Sequence, residues 1–203
     1  NRYCCVILDE AHKARLKGGV GKSADEPNNL LRFMREMGKR TRHLILGTAT
    51  PIQTDVNELW ELLGILNSGA EFVLGDALSL WRNYETATEM VTGRSKAHNE
   101  SEAWDWLRNP LPPSYEHLSV QNIRDNLNVH EGDYVCSHQF ENLGFYVQEM
   151  CLSDFVKSEE FKKNNPVIRH TVLRKRKQLE DEGLLEKVGV NAHPLLNKGN
   201  LYQ

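Results

Sequence analysis

The chain has 203 residues, of which 26% are charged and 39% are hydrophobic, a composition typical of a soluble globular protein. Its formal net charge of −3 excludes a uniformly basic protein, so any contact with nucleic acid must come from a local patch. No apolar run reaches the length of a membrane-spanning helix, and we therefore expect no membrane partner.

The first 70 residues predict two buried strands with a helix between them. Tyr3 to Leu8 and His43 to Gly47 are short apolar runs of the kind found in parallel sheets. Asp25 to Pro27 indicates the start of a helix that we expect to run to about Met37, with Gly38 as its C-cap. This strand–helix–strand order implies a right-handed crossover between parallel strands.

A longer region follows in which helical patterns dominate. Thr54 is expected to cap a second helix with one apolar face, and Asn67 to Gly69 ends it. That face comprises Val56, Leu59, Trp60, Leu63 and Leu66. The later predicted elements are helices at Asp76 to Thr92, Glu102 to Leu107 and Tyr115 to Leu127, and short strands at Asp133 to Cys136 and Leu143 to Val147.

The chain is thus expected to have three parts. Residues 1–70 form an α/β part, residues 71–165 a mostly helical insertion, and residues 166–203 a basic segment that leads into a linker. The cysteines are expected to be reduced and structural, which favours the cytoplasm. Cys136 and His138 have the spacing of a metal-ligand pair, but no second pair follows at zinc-finger spacing.

The first predicted strand ends in two adjacent carboxylates, Asp9 and Glu10, followed by Ala11 and His12. A carboxylate at a strand end can hold Mg²⁺ through water, because this ion keeps much of its hydration shell. The second carboxylate can orient or deprotonate an attacking water, and His12 can form a hydrogen bond that differs between nucleotide states. A helix N-cap would also explain an isolated acidic pair.

The second predicted strand ends in Gly47, Thr48, Ala49, Thr50 and Pro51. The threonine hydroxyls can contact the acidic loop, although a simple strand-to-helix connection with a capping threonine would look similar. The carboxyl ends of parallel strands meet at one edge of a sheet, where open α/β folds bind ligands. We therefore expect the two strand ends to share a magnesium–nucleotide pocket.

These strand ends resemble motifs II and III of superfamily 2 helicase-type ATPases. Asp9 to His12 is similar to the Asp-Glu-Ala-His box, and Thr48 to Thr50 to the Thr-Ala-Thr motif. Pro51 to Leu63 resembles the Swi/Snf-like branch, in which Pro, Gln and a Glu-Leu-Trp string follow motif III. Most Swi/Snf relatives have Gly-Thr-Pro where this chain has Gly-Thr-Ala-Thr-Pro, which favours a bacterial or phage branch and a bacterial cytoplasmic protein.

The resemblance implies a partial RecA-like lobe within an ATP-dependent translocase or helicase that moves on duplex DNA. It implies ATP and Mg²⁺ as cofactors, with Asp9 coordinating Mg²⁺ and Glu10 acting as the catalytic base. The residues implied to couple nucleotide state to DNA are His12, Thr48, Ala49, Thr50 and Gln53.

Gly19 to Ser23 looks like the end of a phosphate-binding loop but does not fit one. The motif needs a glycine five residues before Gly21, where Leu16 stands, and a helix that starts at the lysine. We expect instead a loop that contacts a nucleic-acid backbone through Lys13, Arg15 and Lys22. The later basic run is interpreted either as a solvated face or as a DNA contact, and it comprises Arg174, Lys175, Arg176 and Lys177.

The resemblance also implies parts that these 203 residues lack. In the family, a phosphate loop precedes motif II and an arginine finger lies in a second lobe. We expect the remainder of the same polypeptide to supply both, and the chain alone to neither bind ATP tightly nor hydrolyse it. Two other functions stay open: a protein- or DNA-docking module beside a vestigial motor half, and an Mg²⁺-dependent phosphatase or nuclease that uses Asp9 and Glu10.

Overall fold

The computed structural model describes residues 2–17, 26–49, 56–153, 165–174 and 176–184. These residues form a mixed α/β structure in which helices dominate and the two described strands make one parallel sheet. The chain divides into two units, Asn1–His170 and Thr171–Gln203. In the described part of the chain, no helix has the length and apolar character needed to cross a membrane.

The first strand forms over the predicted residues, whereas the second begins two residues before and ends one residue before the predicted bounds. Strand β1 spans Tyr3–Leu8 and strand β2 spans Thr41–Leu46, and they pair in parallel. Val6 lies opposite Leu44, and both contact the apolar cluster beneath the sheet. The prediction of a parallel pair joined through a helix is confirmed.

Helix α1 spans Asn29–Gly38 and begins later than the Asp25 to Pro27 pattern predicted. Asn28 is the N-cap, because its side-chain oxygen accepts a hydrogen bond of 2.8 Å from the backbone N–H of the third helical residue. Pro27 instead forms an isolated antiparallel bridge with Leu16. The bridge keeps Pro27 outside the helix, so the position of the start was wrong by two residues.

Gly38 was expected to be a C-cap, but it is the last helical residue. Lys39 follows it in a right-handed conformation with φ −64°. A Cβ on Gly38 would lie 2.9 Å from Ile65 O and 3.1 Å from Ser68 Cβ. Glycine is therefore needed here for the close approach of two helices and not for a left-handed turn.

Helix α2 spans Asn57–Asn67 and is buried on two sides. Leu62 and Ile65 pack into the cluster beneath the sheet, whereas Trp60 and Leu63 pack into a second cluster formed with the helical region. The predicted apolar face is therefore one of two buried faces of this helix. The helix stands between two cores, and its sequence is apolar on both flanks for that reason.

The remaining described elements are helical. Trp81 and Trp106 meet edge to face with ring centroids 4.7 Å apart in the second cluster, and Trp104 lies fully buried in a third. In chain order the elements are α3 (Tyr84–Thr92), α4 (Glu100–Leu107), α5 (Leu118–Leu127), a π-helical turn (Tyr146–Leu152), α6 (Pro166–His170) and α7 (Arg176–Asp181).

Helix α3 is shorter than the predicted helix from Asp76 to Thr92. The chain from Asp76 is held in turns by side-chain hydrogen bonds, for example from Leu78 N to Asp76 Oδ1 at 2.8 Å. A short 3₁₀ turn at Leu80–Arg82 follows before α3 begins. Asn83 then caps α3 through its side chain, which explains why the helix starts there.

The two predicted short strands are wrong. Asp133 to Cys136 forms no regular strand and makes two backbone hydrogen bonds to the 108–111 segment, Leu111 N to Tyr134 O at 2.8 Å and Cys136 N to Arg108 O at 3.0 Å. Leu143 to Val147 turns into the π-helical segment instead. Apolar runs of four or five residues suit either structure, and here a helical partner buries them.

Burial of the His170 ring makes the stability of the fold depend on pH. His170 Nε2 lies 3.2 Å from Phe72 O, and burial is the main cause that lowers the pKa of the imidazole to about 4. The unfolded chain takes up a proton near the ordinary pKa of 6.5, whereas the folded ring stays neutral to about pH 4.

We therefore expect the free energy of unfolding to fall as the pH decreases from 6.5 to 4. The loss due to His170 should be on the order of 1 kcal/mol, because the ring is only half-buried. Urea unfolding at several pH values in this range gives the free energy of unfolding as a function of pH. This dependence should be weaker for His170→Gln than for the wild type, and unchanged for His98→Gln, a variant at an exposed histidine. Equal slopes in the wild type and His170→Gln would contradict this assignment.

Candidate functional site

The two strand ends lie side by side at the carboxyl edge of the sheet. Gly47 N donates a hydrogen bond of 2.8 Å to Leu8 O, and Ala11 N donates one of 2.9 Å to Gly47 O. Backbone contacts therefore hold the acidic loop after β1 against the threonine loop after β2. The structure brings together the loop of Asp9 to His12 and Thr48, as the parallel pairing requires.

His12 links the two loops through its side chain. Its Nδ1 lies 3.0 Å from Thr48 Oγ1 and 3.2 Å from Glu10 Oε2. A ring nitrogen carries at most one proton, so Nδ1 can donate to the carboxylate of Glu10 or accept from the hydroxyl of Thr48. The side chain of His12 is 15% exposed and that of Glu10 is 50% exposed, so the carboxylate faces solvent above a mostly buried ring.

The backbone around the acidic pair is strained. Glu10 has φ 53° and ψ 44°, the left-handed conformation that residues with a Cβ rarely adopt. Asp9 Oδ1 accepts a hydrogen bond of 2.8 Å from Glu10 N. Glu10 precedes a 3₁₀ turn at Ala11–Lys13, but its side chain makes no capping hydrogen bond. A helix cap therefore does not account for the glutamate.

The strain at Glu10 predicts a gain in stability when it is relieved. Glu10→Gly and Glu10→Ala both remove the carboxylate and its contact with His12, but only glycine adopts φ 53° without cost. We expect the glycine variant to be more stable than the alanine variant by about 1 kcal/mol. Chemical denaturation of the two variants checks this, and an alanine variant at least as stable as the glycine variant would refute the strain.

Small buried residues fix the position of the acidic loop. Ala11 and Ala14 are 0% and 1% exposed and pack with Leu62 and Ile65 of α2. A larger side chain at either alanine would push the loop away from the helix. The position of Glu10 and His12 therefore depends on the packing of α2.

Asn28 is a positioning residue that the sequence interpretation missed. Its Nδ2 donates to Lys13 O at 2.7 Å, and its backbone N donates to Arg15 O at 3.1 Å. The same side chain caps α1, so one asparagine ties the end of the acidic loop to the start of the helix. The signal in the sequence was an asparagine directly before the helical pattern, which the Asp25 to Pro27 pattern obscured.

The residues at the strand ends fit an Mg²⁺ ion held mainly by water and phosphate. The described residues contain no group of three or more His, Cys, Asp or Glu side chains arranged around a common metal position. Mg²⁺ commonly uses only one or two protein carboxylates beside a nucleotide, and Asp9 is exposed at the strand end. Gly47 lies directly beside this carboxylate, since a Cβ at this position would be in van der Waals contact with Asp9 Oδ1 at 3.7 Å.

The Cys136 and His138 pair does not look like a metal site. Cys136 Sγ lies 3.5 Å from His138 Nδ1, and burial raises the pKa of the Cys136 thiol. A raised pKa disfavours the thiolate that metals bind. Cys4, Cys5 and Cys136 are free thiols.

The predicted basic contacts lie in both units. Lys13 and Arg15 are exposed next to the acidic loop. Ala49, which was predicted as a coupling residue, is exposed after Thr48. Arg174 belongs to the second unit, where its Nη1 lies 3.4 Å from Glu182 Oε1. Arg176 and Lys177 are the first two residues of α7. Predicted residues outside the described part of the chain are Lys22, Thr50, Gln53, Thr54 and Lys175.

No family model, curated protein or solved structure matches this chain. The site is therefore characterised by its own geometry. Two parallel strand ends are joined through backbone hydrogen bonds and through His12, and two exposed carboxylates lie next to each other, one on Asp9 and one on the left-handed residue Glu10.

Proposed function

We propose that these residues belong to a RecA-like motor lobe of the Swi/Snf-like type, within an ATP-dependent translocase or helicase that acts on duplex DNA. The observation that carries the proposal is the contact of His12 with both Glu10 and Thr48 at the shared carboxyl edge of two parallel strands. Such an edge is where open α/β sheets bind nucleotides.

The proposed roles are those that the family resemblance implies for these residues. Asp9 would hold Mg²⁺ through water, and the ion would supply charge neutralisation at the terminal phosphates. Glu10 is exposed and would orient the attacking water and accept its proton at a carboxylate oxygen. His12 would shift its hydrogen bond between Glu10 and Thr48 as the nucleotide changes, which would connect the acidic loop to the loop after β2.

The exposed face of the sheet supports a larger lobe. Tyr3, Ile7 and Ile45 are 50%, 69% and 54% exposed, and Ile7 lies directly opposite Ile45. Parallel sheets are normally covered on both faces, since their connections place helices there. We infer that the remainder of the same polypeptide covers this face and supplies the phosphate loop and the arginine finger.

ATP hydrolysis by the gene product, measured with and without duplex DNA, tests the proposal. Glu10→Gln keeps the size of the side chain but removes the base, so we expect turnover to fall by about 100-fold or more while ATP binding persists. Glu89→Gln is the matched control, because Glu89 is an exposed glutamate of α3 that lies outside the site.

Several results would overturn the proposal. A Glu10→Gln protein with normal turnover would remove Glu10 from the chemistry. Hydrolysis by the 203-residue chain alone would contradict the need for a separate phosphate loop. A gene product that binds DNA or protein but shows no ATPase activity would favour the docking module with a vestigial motor half.

A further inference from the structure

Three arginines cluster at the amino end of the sheet, opposite the end that carries the candidate site. Arg2 and Arg40 directly precede Tyr3 and Thr41, which are partners across the two strands. Tyr3 N donates a hydrogen bond of 2.8 Å to Arg40 O, so the segments that lead into the two strands are already joined at this point. Arg42 follows two residues after Arg40, and all three side chains are exposed.

The spacing of these residues is set by the sheet. Neighbouring strands lie about 4.8 Å apart, and alternate residues of one strand lie about 7 Å apart on the same face. Arg42 lies in β2, Arg40 lies in the turn directly before β2, and Arg2 directly precedes β1, so continuation of the Tyr3–Thr41 pairing places Arg2 beside Arg40. We call Arg2, Arg40 and Arg42 the amino-end arginine cluster.

The cluster has little nearby negative charge. Within the described residues, none of its three guanidinium groups forms an ion pair within 4.0 Å, although other exposed cations do, such as Lys17 with Glu26 at 2.7 Å. The acidic side chain that faces the cluster from α1 is Glu36, and Lys39 Nζ already contacts its carboxylate at 2.6 Å. The charge of Arg40 also acts on Glu36, after that of Lys39, so this one carboxylate is shared and the cluster keeps a net positive charge.

A structural explanation accounts for only part of the cluster. The carboxyl end of α1 carries partial negative charge, which favours a cation at Arg40, two residues after the last helical residue. Arg2 precedes β1 and Arg42 lies within β2, so neither belongs to the end of a helix. Three guanidinium groups on one edge fit an external polyanion whose charges are closely spaced.

We propose that the amino-end arginine cluster binds the phosphate backbone of duplex DNA without sequence preference. Six residues of strand separate it from the acidic loop, which is about 20 Å. The cluster is therefore a second surface, distinct from the contacts expected at Lys13 and Arg15. The proposal rests on the proposed function only in its choice of DNA as partner, because backbone binding requires no nucleotide turnover.

DNA binding by the gene product in the absence of nucleotide tests the cluster. Fluorescence anisotropy with a labelled duplex would be measured over a range of NaCl concentrations for the variant Arg2→Gln/Arg40→Gln/Arg42→Gln. The control is Arg82→Gln/Arg94→Gln/Lys96→Gln, which removes the same charge from three exposed positions of the helical region. We expect about 10-fold weaker binding for the cluster variant and less than about 2-fold for the control. The plot of the logarithm of the DNA-binding constant against the logarithm of the NaCl concentration has a negative slope, and its magnitude should decrease by about 2 to 3 for the cluster variant.

Three results would overturn the proposal. These are equal losses in the two triple variants, a salt slope unchanged from the wild type, and competition by poly-glutamate as strong as that by unlabelled duplex. If the triple variant does not fold by circular dichroism, the single variants Arg2→Gln and Arg42→Gln decide, and each should weaken binding by about 2-fold and reduce the salt slope by about 1. The binding assay contains no ATP. A wild-type gene product that binds DNA through the cluster but has no ATPase activity would therefore refute the proposed function and leave the DNA-binding proposal intact.

Discussion

Replacing Arg124 with methionine is expected to lower the free energy of unfolding by about 3 to 5 kcal/mol, the largest loss of any single change considered for this chain. Arg124 is 2% exposed. Its guanidinium group donates to four backbone carbonyls. The acceptors are Pro112 O at 2.7 Å, His130 O at 2.8 Å, Leu111 O at 3.0 Å and Asp133 O at 3.1 Å.

The size of this loss follows from what methionine leaves behind. It fills a similar volume, but the four carbonyls lose their donors in a buried site. Part of the loss is offset, because burial of the guanidinium is itself unfavourable and lowers the pKa of Arg124. Since small domains have only about 5 to 15 kcal/mol of stability, the variant should be close to unfolding at 37 °C.

Urea unfolding measures the effect, with Arg82→Met as the control because Arg82 is exposed. The control should change the free energy of unfolding by less than about 0.5 kcal/mol. Arg124→Lys should be intermediate, since an ammonium group has three donors and cannot reach four carbonyls in the fork geometry of arginine. A methionine variant as stable as the wild type would mean that the carbonyls find other partners.

Replacing Gly75 with alanine is expected to cost about 3 kcal/mol, for two reasons that add. Gly75 has φ +77°, which is unfavourable for any residue with a Cβ. The new Cβ would also overlap Asn109 Oδ1 and lie 2.7 Å from Ser79 Cβ. These neighbours cannot move freely, because Asn109 Oδ1 accepts from Asp76 N at 3.0 Å and Ser79 Oγ donates to Asn109 O at 2.7 Å.

Gly93 provides a matched control for the backbone contribution. It has a similar φ of +73°, but a Cβ there would meet no atom within 4 Å. Gly93→Ala should therefore cost only about 1 kcal/mol, the cost of the left-handed conformation alone. Thermal unfolding of both variants separates the two contributions. Equal losses at Gly75 and Gly93 would show that the contacts around Gly75 relax.

Prediction from sequence succeeded where the signal was local. The run from Tyr3 to Leu8 formed a strand over the predicted residues, because a short apolar β-branched segment bounded by polar residues has few alternatives. The juxtaposition of Glu10, His12 and Thr48 followed from parallel pairing alone. The functional roles of these residues stay a prediction based on resemblance.

Prediction failed where a distant partner decided the local structure. Helix α2 buries Leu62 and Ile65 as well as the predicted Trp60 and Leu63, because it packs against the sheet on one side and the helical region on the other. The segment from Asp133 to Cys136 looked like a strand, but its neighbours offer no continuous edge to pair with. The pattern of apolar residues along a sequence indicates which side chains are buried, but it does not indicate which element packs against them.

The amino acid order by itself indicated the two apolar runs that become strands, a helix between them and the polar residues at their carboxyl ends, because each of these signals depends on neighbours within a few positions along the chain. Only the tertiary structure decided that Glu10 adopts a left-handed conformation, that Asn28 ties the acidic loop to α1, and that Arg124 serves four carbonyls. These features depend on hydrogen-bond partners that the fold brings together from separate segments, and the energy of a buried polar group is set by those partners.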